Sequence, residues 1–135
     1  MLEIRAKNER QANYNIFERC LVDIFHCQEE KPNLESLSLE FDYNQNHLPL
    51  SVIYRFVDGN FNLKSVSLYG LNDRDKTLHD LLDILNCDNS IEECELAGRW
   101  DRYHHLLEKI GDGMIPREEF PDLIRDLKKC ITHDL

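Results

Sequence analysis

Cationic side chains are scarce in this chain: 16 Lys and Arg stand against 26 Asp and Glu, a formal net charge of −10. A surplus of that sign repels phosphate backbones and anionic headgroups over a Debye length of about 10 Å. Neither nucleic acid nor a membrane is therefore an expected partner. Long apolar runs are missing too, and none approaches the roughly 20 residues that cross a bilayer. The opening stretch from Met1 to Arg10 alternates charges and leads into no apolar segment, so no secretory signal is expected and the cytoplasm is the expected location. Glycine is sparse and scattered, five in all, which excludes a Gly-rich phosphate loop. No Gly-x-Ser-x-Gly elbow occurs. The five cysteines (Cys20, Cys27, Cys87, Cys94, Cys130) are odd in number and none forms a Cys-x-x-Cys pair, which fits reduced thiols better than a disulfide framework. His26, Cys27 and Cys94 lack metal-ligand spacing, and the adjacent His104 and His105 would point about 100° apart on a helix. With no catalytic constellation, metal site or cofactor motif, the chain is not expected to be an enzyme.

What is present suits a single globular domain over residues 1–135, with 41% hydrophobic and 31% charged residues. Ile16, Phe17, Cys20, Leu21, Ile24 and Phe25 recur at helical spacing within Asn8–Gln28, and Pro32 closes that helix. Ser36–Asn44 alternates, with Leu37, Leu39, Phe41 and Tyr43 on one side and Ser36, Ser38, Glu40 and Asp42 on the other. Leu50–Val57 and Phe61–Tyr69 are β-rich and flank Asp58-Gly59-Asn60, a hairpin signal. Leu78, Leu81, Leu82 and Leu85 mark a helix over Asp73–Asn86. Ser90 to Glu93 reads as a capping box for a short helix ending at Gly98. Trp100, Tyr103, Leu106, Leu107 and Ile110 form another helical stripe. Pro116 sits in the first turn of a last helix bearing Phe120, Leu123, Ile124, Leu127, Cys130 and Ile131. The expected class is α+β: a three-stranded antiparallel sheet preceded by one helix and followed by three or four. No internal repeat is evident along the chain.

An acidic surface steers basic proteins toward it. The carboxylates of Asp73, Asp75, Asp88, Glu92, Glu93 and Glu95 are the candidate partner-binding groups, with Trp100 and Tyr103 as aromatic anchors. The polar loop Asn44–His47 is a further contact candidate. In size and acidity, though in no motif, the chain is similar to bacterial immunity proteins, including those of contact-dependent growth inhibition systems. That likeness implies an inhibitor occluding the active site of a cognate basic toxin, for example a nuclease. The alternatives are a secretion chaperone holding an effector segment along a sheet or groove, and a small enzyme.

The stretch Glu108-Lys-Ile-Gly-Asp-Gly-Met-Ile-Pro-Arg-Glu-Glu119-Phe120 resembles the second part of an EF-hand loop, with Asp112, Gly113, Ile115 and Glu119 at matching positions. It departs at its first position, Glu108 in place of Asp, and at its third, where Ile110 has no oxygen to offer a hard cation. A helix–turn–helix connection with Gly111 and Gly113 at positive φ is expected instead. Millimolar calcium is accordingly expected to leave the melting temperature unchanged in a thermal scan; a rise of several degrees would establish a site.

Overall fold

The computed structural model describes residues 2–5, 19, 22–23, 26, 34–44, 48–60, 62–107, 110 and 113–133, with the backbone alone at 2–5, 106 and 133. Strands β1 (Leu2–Arg5), β2 (Ser36–Glu40), β3 (Ser65–Asn72), β4 (Glu93–Arg99) and β5 (Ile115–Pro116) form one five-stranded sheet in sequence order. The first three pairings are parallel and only β4–β5 is antiparallel. Helices α1 (Leu50–Val57), α2 (Asp75–Asn86), α3 (His104–Leu107) and α4 (Phe120–His133) complete the described elements. The class is α+β, but the expected three-stranded antiparallel sheet is overturned by this mixed, mostly parallel one.

Three local readings account for the difference. Leu50–Val57 is a helix, because Leu50, Ile53, Phe56 and Val57 recur at helical intervals and are buried while Ser51 and Arg55 are exposed. Asp58-Gly59 ends that helix rather than turning a hairpin: the Asp58 amide donates to the Tyr54 carbonyl at 3.0 Å and Gly59 takes φ +78°. Glu93–Arg99 is a strand, because Cys94 and Leu96 alternate with Glu93 and Glu95. Ser90 caps nothing there; its hydroxyl donates to the Leu63 carbonyl at 2.9 Å and the Asn60 carbonyl at 3.1 Å. The helix expected over Asn8–Gln28 lies mostly outside the described residues, of which Arg19, Val22, Asp23 and His26 are helical.

Two helices match their patterns. In α2, Leu78, Leu81 and Leu85 are buried, Asp75 sits in the first turn where the helix dipole favours a carboxylate, and Lys76 pairs with Asp80 at 2.9 Å. In α4, Phe120, Leu123, Leu127 and Cys130 are buried, with Pro116 preceding a 3-10 turn over Arg117–Glu119. The EF-hand-like stretch supplies edge strand β5 and that turn instead of a helix–turn–helix, although Gly113 does take positive φ, +115°.

The chain also repeats, contrary to the sequence reading. Leu34, Leu37 and Leu39 recur as Leu63, Val66 and Leu68 after 29 residues and as Ile91, Cys94 and Leu96 after another 28. The register confirms the equivalence, pairing Leu37 with Val66 and Val66 with Cys94, then Leu39 with Leu68 and Leu68 with Leu96. The hydrogen bonds repeat as well. The Glu35 carbonyl accepts from the amides of Lys64 and Ser65 at 2.8 and 3.1 Å, and one unit later the Lys64 carbonyl accepts from Glu92 and Glu93 at 2.7 and 3.3 Å. Asn60 and Asn89 each accept the amide two residues ahead, at 3.2 and 3.0 Å.

Adjacent parallel strands joined by right-handed crossovers place their helices on one side of a sheet. The ladder residues Leu37, Leu39, Val66, Leu68, Cys94 and Leu96 are all buried there, in one apolar cluster with residues of all four helices. Burial pushes the Cys94 thiol up to about 12 and raises that of Cys130, so both stay protonated at neutral pH. Asn72 stitches neighbouring units together: its Nδ2 donates to the Tyr43 carbonyl at 3.1 Å, while its Oδ1 accepts from Thr77 Oγ1 at 2.6 Å.

A bulge between Leu68 and Leu71 re-aims the end of β3. Gly70 makes it possible at φ +71°, because a Cβ there would lie 1.9 Å from the Phe41 carbonyl oxygen, whereas a Cβ on Gly59 would meet nothing within 4 Å. Gly70→Ala is expected to lower unfolding free energy by about 3 kcal/mol or more in urea denaturation, and Gly59→Ala by only about 1 kcal/mol for its left-handed backbone. Equal losses would refute the close-approach account.

Candidate functional site

The alternation that buries the leucine ladder turns the intervening residues to the opposite face. In cross-strand rows these are Ser36, Ser65 and Glu93; then Ser38, Ser67 and Glu95; then Glu40 and Tyr69. Glu93 is exposed, and Ser36, Ser38, Glu40, Ser65, Tyr69 and Glu95 are half-buried. Parallel sheets ordinarily have apolar residues on both faces because helices cover both. Here the second face is polar and acidic, suited to water or to a polar partner.

The face is organised around a charged hydrogen bond. The Tyr69 hydroxyl donates to Glu95 Oε2 at 2.7 Å, fixing the carboxylate of one strand from the next. The register also sets Glu3 beside Ser38 and Arg5 beside Glu40. At the far edge, β5 is two residues long and includes Pro116, which has no amide to donate, so that edge offers little template for an added strand.

The eight residues singled out from sequence fall in different places. Glu93 and Glu95 lie on the open face. Asp88 and Glu92 are exposed at the end where the strands begin: the Asp88 carbonyl accepts from the Gly59 amide at 2.5 Å, and the Glu92 carbonyl from the Arg117 amide at 2.8 Å. Asp75 is exposed at the opposite end, 3.6 Å from Arg102 Nη1. Asp73 is 4% exposed, and its Oδ2 accepts the amides of Arg102 at 2.6 Å and Tyr103 at 2.9 Å, joining β3 to the turn after β4. Tyr103, 2% exposed, is a core residue whose hydroxyl accepts from Arg102 Nη2 at 2.7 Å. Trp100 is half-buried against the core. The sheet therefore gathers Glu93 and Glu95 alone of the eight, and adds Ser36, Ser38, Glu40, Ser65, Ser67 and Tyr69. The 29- and 28-residue offsets were the signal that could have aligned these positions.

At the ends of the strands, Arg99 lies 5.3 Å from the centre of the Tyr43 ring and 3.0 Å from Asp101 Oδ1, and the Asp101 contact raises its already high pKa. These cations are matched by neighbouring carboxylates. His104 and His105 are both exposed, their rings edge to face 5.7 Å apart. Among the described residues, no group of three or more His, Cys, Asp or Glu is placed to hold a metal ion, and no helix is long and apolar enough to cross a membrane.

No protein-family model matches the chain, and no curated protein or solved structure matches it either.

Asp73 is thus a structural acceptor and Asp75 a surface charge. Asp73→Ala, which strands two amides, is expected to cost about 2–4 kcal/mol in chemical denaturation, against under about 0.5 kcal/mol for Asp75→Ala. A neutral Asp73→Ala would overturn that assignment.

Proposed function

We propose that this chain is a small acidic protein-binding inhibitor that docks a basic partner on the open face of its sheet. The observation that carries the reading is the acidic, hydroxyl-rich face itself, with Glu40, Glu93 and Glu95 presented on a sheet whose other side is fully committed to the core. The spacing Leu-x-x-Leu-x-Leu at Leu34, Leu37 and Leu39 is also that of leucine-rich solenoids, which use extended surfaces of this sort for binding. A net charge of −10 supplies long-range steering toward a cationic protein.

In its most specific form, the reading is a cytoplasmic immunity protein. Face carboxylates meet Lys and Arg of a toxin's substrate-binding cleft and block it as a phosphate mimic would. The exposed Asp75, Asp88 and Glu92 lie at the sheet's two ends, where they add to the field and act as rim charges. A chaperone that holds its client by strand addition is less well supported, because Pro116 blunts the β5 edge.

Isothermal titration against the cationic domain of a cognate toxin is expected to give a 1:1 complex of roughly nanomolar Kd, weakening about tenfold or more as salt rises from about 0.05 to 0.3 M. Combining Glu93→Lys with Glu95→Lys is expected to weaken it about a hundredfold while the far-UV circular dichroism stays unchanged. Absence of heat, or affinity indifferent to the double reversal, would sink the proposal.

A further inference from the structure

One stretch of surface runs against the sign of the rest. Helix α4 packs on α2 and α3 and buries Phe120, Leu123, Leu127 and Cys130. Along its outer flank runs an open groove of about 370 Å³, lined by Pro121, Ile124, Arg125, Lys128, Lys129 and Thr132. These residues recur at intervals of three and four, so the groove follows the helix axis for about three turns. Three of the six are cationic and none is acidic, in a chain whose formal charge is −10.

Grouping these cations costs the fold something. Arg125, Lys128 and Lys129 stand three and four residues apart, where like charges on a helix repel. Asp122 relieves Arg125, whose Nη2 donates to the carboxylate Oδ1 at 2.8 Å. Among the described residues neither Lys128 nor Lys129 is paired with a carboxylate. The apolar part of the lining is Pro121 and the half-buried Ile124. Apolar and cationic groups in one groove suit a segment whose apolar side chains are flanked by carboxylates.

We infer that this groove is a docking site for an acidic amphipathic helix of a partner protein. It lies on the helical side of the molecule, apart from the open sheet face, and does not rest on the docking reading above. A helix arrives with its backbone hydrogen bonds already made. An extended segment would find the amides and carbonyls of α4 used within that helix and would leave its own unmatched. A second helix laid along such a flank sends apolar side chains, at three- and four-residue spacing, between those of the first. The α4 of a second copy would bring cation to cation, which disfavours a symmetric pair through this surface. Carboxylates on an incoming helix instead meet Lys128 and Lys129 and lift their repulsion.

The test is an NMR titration of the isotope-labelled full chain at about 0.15 M salt, where exposed charges are screened beyond about 8 Å. The probe is a blocked helical peptide of about 18 residues, with Leu at three- and four-residue spacing and Glu beside each Leu. Its controls carry Lys for Glu or Ser for Leu, and inorganic phosphate is titrated alone. The acidic peptide is expected to give saturable shifts centred on the amides of Ile124, Arg125, Lys128, Lys129 and Thr132. The Lys peptide is expected to leave those amides unmoved, and the Ser peptide to bind about tenfold more weakly. Lys128→Gln combined with Lys129→Gln is expected to weaken the acidic peptide about fivefold or more with unchanged far-UV circular dichroism. Glu93→Lys with Glu95→Lys, on the sheet face, is expected to leave its affinity within about twofold. Phosphate moving the same amides as strongly would reduce the groove to an anion site and overturn helix docking. Shifts of those amides on dilution of the free chain would assign the groove to a second copy and overturn it too. No saturable response to the acidic peptide overturns it outright and leaves the sheet-face reading to its own titration.

Discussion

Parallel pairing of β2, β3 and β4 is the constraint from which the rest of the molecule follows. A strand can lie parallel to its predecessor only if the chain crosses back over the sheet, and the 28- to 29-residue spacing of the leucine ladder leaves room for one helix per crossing. Because such crossings share one hand, the helices fall on one side, and the apolar residues of each strand must follow them. Leu37, Val66 and Cys94 then stack as one row and Leu39, Leu68 and Leu96 as the next. Every residue between them is turned outward by the same step. The polar face is thus a direct consequence of how the core is built.

The polar side chains that hold the units in register are distinct from those that face outward. Asn72 and Asp73 bond the backbone of neighbouring units where the strands end, and Ser90 does so where they begin. Buried polar groups of this kind stabilise one arrangement over its slipped alternatives, since a shift of one residue would leave each without a partner. Gly70 and Gly98 serve the same end by absence: a Cβ at Gly70 would lie 1.9 Å from the Phe41 carbonyl oxygen just past β2, and one at Gly98 2.3 Å from the Leu71 carbonyl oxygen of β3. Residues of this class look like candidate contacts in a sequence, being acidic or polar and close together. Their burial assigns them to the scaffold.

Much of the fold could be read in advance where one pattern dominates. The stripes of Leu78, Leu81 and Leu85 and of Phe120, Leu123 and Leu127 predicted α2 and α4, and the alternation at Ser36–Glu40 predicted β2 with its polar side. The reading failed where two patterns compete in few residues. Leu50–Val57 is β-branched and aromatic yet carries helical spacing, and Asp-Gly serves a helix end as readily as a hairpin. Ser90 to Glu93 has the residues of a capping box, but its serine is used across the sheet. Of the candidate site, Glu93 and Glu95 were found for their charge alone; Ser67 and Tyr69 were not, since a serine and a tyrosine signify nothing until their neighbours are known.

The sequence by itself determined the net charge, the apolar ladder and the places where helices and strands could form, because these depend on composition and on periodicities a few residues long. The tertiary structure decided that the strands run parallel, that Asp73 and Tyr103 are buried, and that Ser38, Ser67, Tyr69 and Glu95 share one face of the sheet. Such neighbours are separated by about one repeat in the chain, and only hydrogen-bonded register between strands brings residues that far apart within reach of the same ligand.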